Sequence, residues 1–203
     1  MKKTKAVLLL SSGIDSPVAG HIAKKQGIEL HAVSFYQNKI QTKKVKKLAE
    51  KIGAKSLHMM KHKNFMDEIS KKCAPEYICI LCKRFMYRVA SMFAEKNDIK
   101  YIIDGSNLGQ VASQTLSNLV ITSKAVDKEI LRPLLGKEKT ETMEIARKIG
   151  TLDISNETEE SCKYVPKKPS TKSTQYAIEK QEKKLDIDSL CETTLESSED
   201  IKL

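Results

Sequence analysis

The sequence predicts an α/β fold: an open, doubly wound parallel sheet of five strands, Rossmann-like in its order, with a C-terminal loop and helix extension. Three observations predict it. Short apolar runs alternate along the chain with segments of helical periodicity. The first run ends in a tight loop of small residues that leads directly into a helix. The length, 203 residues, suits one such domain with a sizeable core.

Ala6 to Leu10 reads as a strand buried on both faces. Ser11 to Ser16 form the loop, and Pro17 suits the first helical position ahead of Val18 to Ala23. Ile28 to Phe35 is the second strand. Thr42 to Ile52 is a helix that turns Val45, Leu48, Ala49 and Ile52 inward, with Lys43, Lys44, Lys46, Lys47 and Lys51 covering the rest. Ser56 to Met60 is the third strand, and this alternation implies right-handed parallel crossovers. Asn64 to Lys72 reads as a short helix; His58 and His62, at the end of the third strand, read as packing residues rather than ligands. A long amphipathic helix starts near Cys79 and runs to about Asn97, with Phe85, Met86, Val89, Met92 and Phe93 inward. Lys100 to Gly105 is the fourth strand. Glu129 to Leu134 is the fifth, closed by Pro133, and Lys139 to Ile149 is a helix ended by Gly150. Residues 158–172 form a proline- and lysine-bearing loop around Cys162, and 174–184 are helical and highly charged. The expected division is a domain over 1–184 and an acidic tail over 185–203 that frays.

The net charge is +10, unevenly spread. Residues 185–203 hold six acids against one lysine, a net −5, which leaves +15 on the remainder. A body that basic suits a polyanion such as RNA. There is no run of 18 apolar residues and no signal-peptide layout, so a cytoplasmic location and no membrane partner are expected. Five cysteines, at 73, 79, 82, 162 and 191, argue for reactive or metal-binding thiols over a disulfide scaffold.

In an open α/β sheet the ligand lies beyond the carboxyl ends of the strands. The loops at Ser11–Ser16, Phe35–Tyr36, Gly105–Gln114 and Arg132–Lys139 all belong at that edge. The first places backbone N–H groups, hydroxyls and a helix N-terminus around one point, an anion site whose natural ligand is phosphate. Cys79 and Cys82, three apart at a helix start, face one side. By themselves they could be a redox pair, half of a zinc site or core residues, and no second pair completes a four-cysteine zinc site.

The loop resembles the pyrophosphate loop of the ATP pyrophosphatases, with Ser12 where that family usually has its first glycine. Further segments, in order, resemble the catalytic domain of the tRNA 4-thiouridine synthetases: Gly13 to Ala19, Leu108 to Leu116, Arg132 to Gly136 with Lys139, Ile145 to Thr151, and Cys162 with Val165 to Thr171. The resemblance covers about residues 5–190. It implies that ATP adenylates the O4 of a tRNA uridine and that a sulfur species displaces AMP, giving 4-thiouridine. Leu10, Ser11, Ser12, Gly13, Ile14, Asp15, Ser16, Phe35, Gly105, Gln114 and Arg84 (or its neighbour Lys83) would then contact the nucleotide. Asp15 would orient the loop or hold Mg²⁺. Lys139 would stabilise charge on the departing pyrophosphate, and Cys162 matches the persulfide-carrying cysteine.

The resemblance is to the archaeal type, in which a CxxC pair and one later cysteine hold an iron–sulfur cluster. It implies that Cys79, Cys82 and Cys162 ligate a [4Fe–4S] cluster with one open iron, using sulfide; the competing reading is a persulfide on Cys162 resolved by Cys79 or Cys82. The usual N-terminal RNA-binding module and the C-terminal rhodanese domain of some members have no counterpart in these residues, so a separate RNA-binding protein and an external sulfide or persulfide donor are expected, as is a homodimer. Two rival readings stand beside this one. The first is an ATP pyrophosphatase that amidates or thiolates a small metabolite. The second is a non-catalytic cluster- or RNA-binding relative, motivated by Ser12 and by Ser106, which replaces an acidic residue.

Overall fold

A computed structural model describes residues 3–36, 39–158 and 162–203. The chain begins with β1 (Lys5–Leu9), α1 (Asp15–Lys25), β2 (Glu29–Tyr36), α2 (Lys39–Ile52) and β3 (Ser56–Lys61). These are followed by α3 (Lys63–Lys72), α4 (Ile78–Lys96), β4 (Tyr101–Ile103), α5 (Leu116–Ser123), β5 (Glu129–Leu131) and α6 (Lys139–Lys148). The last elements are α7 (Leu152–Asn156), α8 (Gln175–Glu182), α9 (Ile187–Glu196) and β6 (Glu199–Ile201).

Among the described residues the sheet has six strands, in the order β5-β4-β1-β2-β3-β6. The five expected strands are parallel to one another. The sixth, β6, runs antiparallel to β3, with Leu57 opposite Ile201 and Met59 opposite Glu199. It corrects the expectation of five strands and of a frayed tail. The reason is local. Leu195 and Cys191 of α9 are buried in the core that contains Val89 and Phe93 of α4. Asp200 then meets His58 at 2.5 Å, and Glu199 pairs with Lys61 at 2.9 Å, so the tail's acids find basic partners along β3.

Each sheet face carries its own core. On one side Phe65, Phe85, Tyr87, Val89 and Ile178 pack over Val7 and Val33. On the other Val18, Val45, Ala49, Leu134 and Ala146 pack over Ala6, Leu8 and Leu30. Neighbouring residues of β1 thus serve opposite cores, which explains its unbroken apolar run. Lys44, expected at the surface of α2, is instead buried. Its ammonium donates to the carbonyl of Glu157 at 2.9 Å, while Lys47 reaches the Glu157 carboxylate at 2.7 Å.

The C-terminal helices are clamped to α4. Glu182 accepts from Arg84 Nε at 2.7 Å and Nη2 at 2.9 Å, and from Arg88 at 2.6 and 3.0 Å. Burial favours the neutral acid, but Arg88 and Arg84 outweigh it and hold the carboxyl below its ordinary value of 4.5. The stabilisation from this clamp is therefore present above pH 4.5 and lost as pH falls through the lower folded-state value. Glu182→Gln is expected to cost about 3 kcal/mol near neutrality, because two guanidinium groups keep their burial and lose their counter-charge. Urea unfolding at several pH values checks this: the variant's deficit should shrink on acidification.

Candidate functional site

The sheet order reverses between β1 and β4: from β1 the chain builds outward to β2 and β3, then returns to place β4 and β5 on the other side. Such a switch point opens a crevice at the carboxyl edge. Here a cleft of about 210 Å³ lies at this edge, lined among others by Leu10, Ser11, Asp15, Ser16, Phe35, Lys83, Met86, Asp104, Gly105, Ser106 and Gln114.

Ser11 and Ser16 close the loop after β1. The Ser11 N–H donates to Ser16 Oγ at 2.8 Å, the two hydroxyls lie 3.0 Å apart, and the Gly13 N–H reaches Ser11 Oγ at 3.3 Å. Ser155 of α7 donates to the Gly13 carbonyl at 3.2 Å. Ile14 at the N-cap of α1 offers no side-chain acceptor to the first helical turn, which leaves that turn suited to an external anion. Lys139, the first residue of α6, places its ammonium 2.8 Å from Asp15 Oδ1.

Gly105 is dictated by packing. A Cβ there would stand 2.7 Å from Ser16 Cα and 2.8 Å from Ser16 N. These are backbone atoms, so no side chain can yield. Gly105→Ala is expected to push the end of β4 away from the Ser11–Ser16 loop, costing about 1–3 kcal/mol in strain. Thermal unfolding of the variant beside wild type measures this cost.

Asp104, buried at the end of β4, organises the floor of the cleft. It accepts from the Tyr87 hydroxyl and, at 3.1 Å, from the Ser106 N–H, and it faces Lys83 at 3.2 Å and Arg132 at 3.5 Å. Burial would raise its pKa, but Lys83, Tyr87, Ser106 and Arg132 together outweigh burial and keep it lowered. Lys83 also donates to Ser106 Oγ. The side-chain oxygen of Gln114 is buried and has no hydrogen-bond partner among the described residues, so it presents an acceptor at the cleft wall suited to an N–H donor.

The structure brings Leu10, Ser11, Asp15, Ser16, Phe35, Gly105 and Gln114 to one cleft, with Ser12, Gly13 and Ile14 in the adjoining turn. Arg84 is not there. It is buried on the opposite flank of α4, bound to Glu182 and, at 2.6 Å, to the Ile121 carbonyl. Consecutive helical residues point about 100° apart, so of the pair Lys83–Arg84 only Lys83 faces the cleft. Asp104 and Ser155 were not singled out from sequence. The first had a signal in its place just before the strand-end glycine; the second had none.

Among the described residues no disulfide forms. Cys79 and Cys82 sit in the first turns of α4, and Cys162 lies near enough to act electrostatically on both. Burial first, then Cys162, raises the Cys79 thiol; burial, Cys162 and Cys79 push Cys82 up to about 12. The Cys162 loop is tied to α3 through the Tyr164 hydroxyl, which donates to Asp67. Among the described residues no three His, Cys, Asp or Glu side chains are arranged around a point that could hold a single metal ion. His62 is buried and neutral, its pKa lowered by burial to about 4.

The family model described as "Thiamine biosynthesis protein (ThiI)" matches residues 1–187. The chain belongs to the ThiI family. A probable tRNA sulfurtransferase of Clostridium botulinum is 37% identical over 96% of this chain, and one of Acetivibrio thermocellus is 38% identical over 96%. This chain spans about half the length of these curated relatives, 53% and 52%. A crystal structure of a 4-thiouridine synthetase in complex with RNA and bound ATP superposes with a TM-score of 0.92 at 36% identity, over 98% of this ThiI chain and 55% of that one. An NMN synthetase from Francisella tularensis, at a TM-score of 0.58 and 13% identity over 94% of this chain and 84% of its own, shares the fold. No helix among the described residues is long and apolar enough to cross a membrane.

Proposed function

We propose that this ThiI chain is the catalytic part of an ATP-dependent sulfurtransferase that converts a tRNA uridine to 4-thiouridine, releasing AMP and pyrophosphate. The observation that carries this reading is the placement of α4. One helix supplies a wall of the cleft beside the phosphate loop, through Lys83 and Met86, and also the thiol pair Cys79 and Cys82. Activation and sulfur delivery thereby share one element.

A carbonyl oxygen is a poor leaving group and an adenylate a good one. ATP would lay its phosphates against the Ser11–Ser16 turn and the first turn of α1, with Lys139 drawn from Asp15 toward the charge growing on pyrophosphate. Asp15, so released, is the residue that would hold Mg²⁺ through phosphate oxygens. The unsatisfied Gln114 oxygen would accept from an amino or imino N–H of a nucleotide.

Cys79, Cys82 and Cys162 are the residues that would hold a [4Fe–4S] cluster, whose chemistry would be to carry inorganic sulfide on an iron without a protein ligand. What supports it is the pair Cys79 and Cys82 on the first turns of α4, with Cys162 acting electrostatically on both. The exposure of Cys162 favours a second reading, in which it carries a persulfide.

The test is ATP–pyrophosphate exchange, with nucleoside analysis of RNA after reaction, on anaerobically purified protein assayed for iron and sulfide. Exchange, 4-thiouridine and bound iron support the reading with the cluster. Colourless, iron-free protein that still thiolates RNA removes the cluster and leaves the persulfide. Absence of exchange removes the activity.

A further inference from the structure

We propose that Thr115, the N-cap of α5, and Asn118, in its first turn, form a clasp that anchors the 170–173 end of the Cys162 loop beside the cysteine-bearing start of α4. Of the two sequence segments that it joins, 108–116 and 165–171, only Gln114 is among the described residues that line the cleft.

The Thr115 hydroxyl donates to the Thr171 carbonyl at 2.6 Å and accepts the Asn118 N–H at 3.4 Å, capping α5. Asn118 is fully buried. Its Nδ2 donates to the Ser170 carbonyl at 2.9 Å and to the Ala112 carbonyl at 2.7 Å, and its Oδ1 accepts from the Ser173 N–H at 3.1 Å. Both donors and the oxygen of one amide are thus spent on backbone. The same Ser170 gives its own N–H to the Glu76 carbonyl at 2.9 Å, just before the helix that carries the thiol pair. Ala112 lies in the turn that presents Gln114. Three backbone groups within 170–173 are therefore held by Thr115 and Asn118, with Ser117 adding a longer bond of 3.4 Å to the Thr171 carbonyl, and the segment is stitched at once to the cleft wall and to the base of α4. A loop that ended in water would leave Cys162 to wander. Thr115 and Asn118 act through that loop and are positioning residues.

The inference rests on the sulfur-transfer reading for its purpose, and its geometry is testable apart from it. Copper–phenanthroline and oxygen couple two neighbouring thiols into a disulfide, so the rate at which Cys162 is trapped with Cys79 or Cys82, read by peptide mass spectrometry, reports their proximity. Thr115→Val is expected to slow trapping about tenfold and Thr115→Ser to restore it, as the loss and return of one hydrogen bond require. In the activity assays Thr115→Val should lower kcat for sulfur transfer in step while ATP–pyrophosphate exchange stays at the wild-type rate. Asn118→Asp turns an acceptor toward two carbonyls and should act in the same direction more strongly; Thr115→Val decides the matter where the aspartate variant does not fold. Unchanged trapping in Thr115→Val overturns the clasp, as does a parallel fall of exchange and transfer. Wild-type protein without exchange or transfer would remove the proposed activity, and the trapping comparison would still decide the clasp.

Discussion

Cys162→Ala should abolish sulfur transfer to RNA while ATP–pyrophosphate exchange stays within about twofold of wild type. The expectation follows from location. Cys162 is exposed, whereas Cys79 and Cys82 are both half-buried. It belongs to a loop none of whose described residues lines the cleft at the sheet edge. Removing one exposed sulfur should change stability by no more than about 0.5 kcal/mol, so a lost activity cannot be laid to misfolding. Cys79→Ala and Cys82→Ala should lose transfer as well, with some destabilisation, because their thiols fill space at the base of α4. Loss of exchange in Cys162→Ala would mean that the loop takes part in adenylation, and full transfer in that variant would remove the thiol from the chemistry.

Lys139→Ala should do the reverse and abolish exchange, lowering it by about 10²–10³-fold, the cost of losing one preorganised charge at a developing anion. Helix physics gives the ammonium no other reason to be where it is. A cation at the first position of α6 opposes the helix dipole, and the helix is already capped by the reciprocal Glu138–Glu141 bonds. The pair with Asp15 is exposed on both sides, 47% and 27%, so it adds well under about 1 kcal/mol to folding after solvent screening. Lys139→Ala should therefore unfold at nearly the wild-type temperature while exchange disappears, and Asp15→Ala should behave alike. Exchange at the wild-type rate in either variant would displace the phosphate site from this loop.

Much of the architecture was legible because local sequence and tertiary demand agree. The Ala6–Leu10 run needs two buried faces, so a strand sandwiched between helices is its natural state. The small residues from Ser11 to Ser16 leave the backbone open to an anion. The ends of strands were less legible. Tyr101–Ile103 and Glu129–Leu131 are shorter than the strands expected over Lys100–Gly105 and Glu129–Leu134, because pairing with the neighbouring strand decides where a ladder stops.

By itself the sequence determined the α/β class, the turn of small residues after β1, the sheet edge at which the cleft opens and the three thiols of interest. Each depends on residue type and short spacing, which the chain carries locally. Only the tertiary structure decided which of Lys83 and Arg84 enters the cleft, since that depends on where α8 lays Glu182 against α4. It alone decided that the acidic tail becomes α9 and β6, because the basic partners of those acids, His58 and Lys61, lie about 140 residues away along the chain. It alone joined Asn118 to Ser170 and Ser173. Contacts between distant segments are set by how the layers pack, and no local periodicity records them.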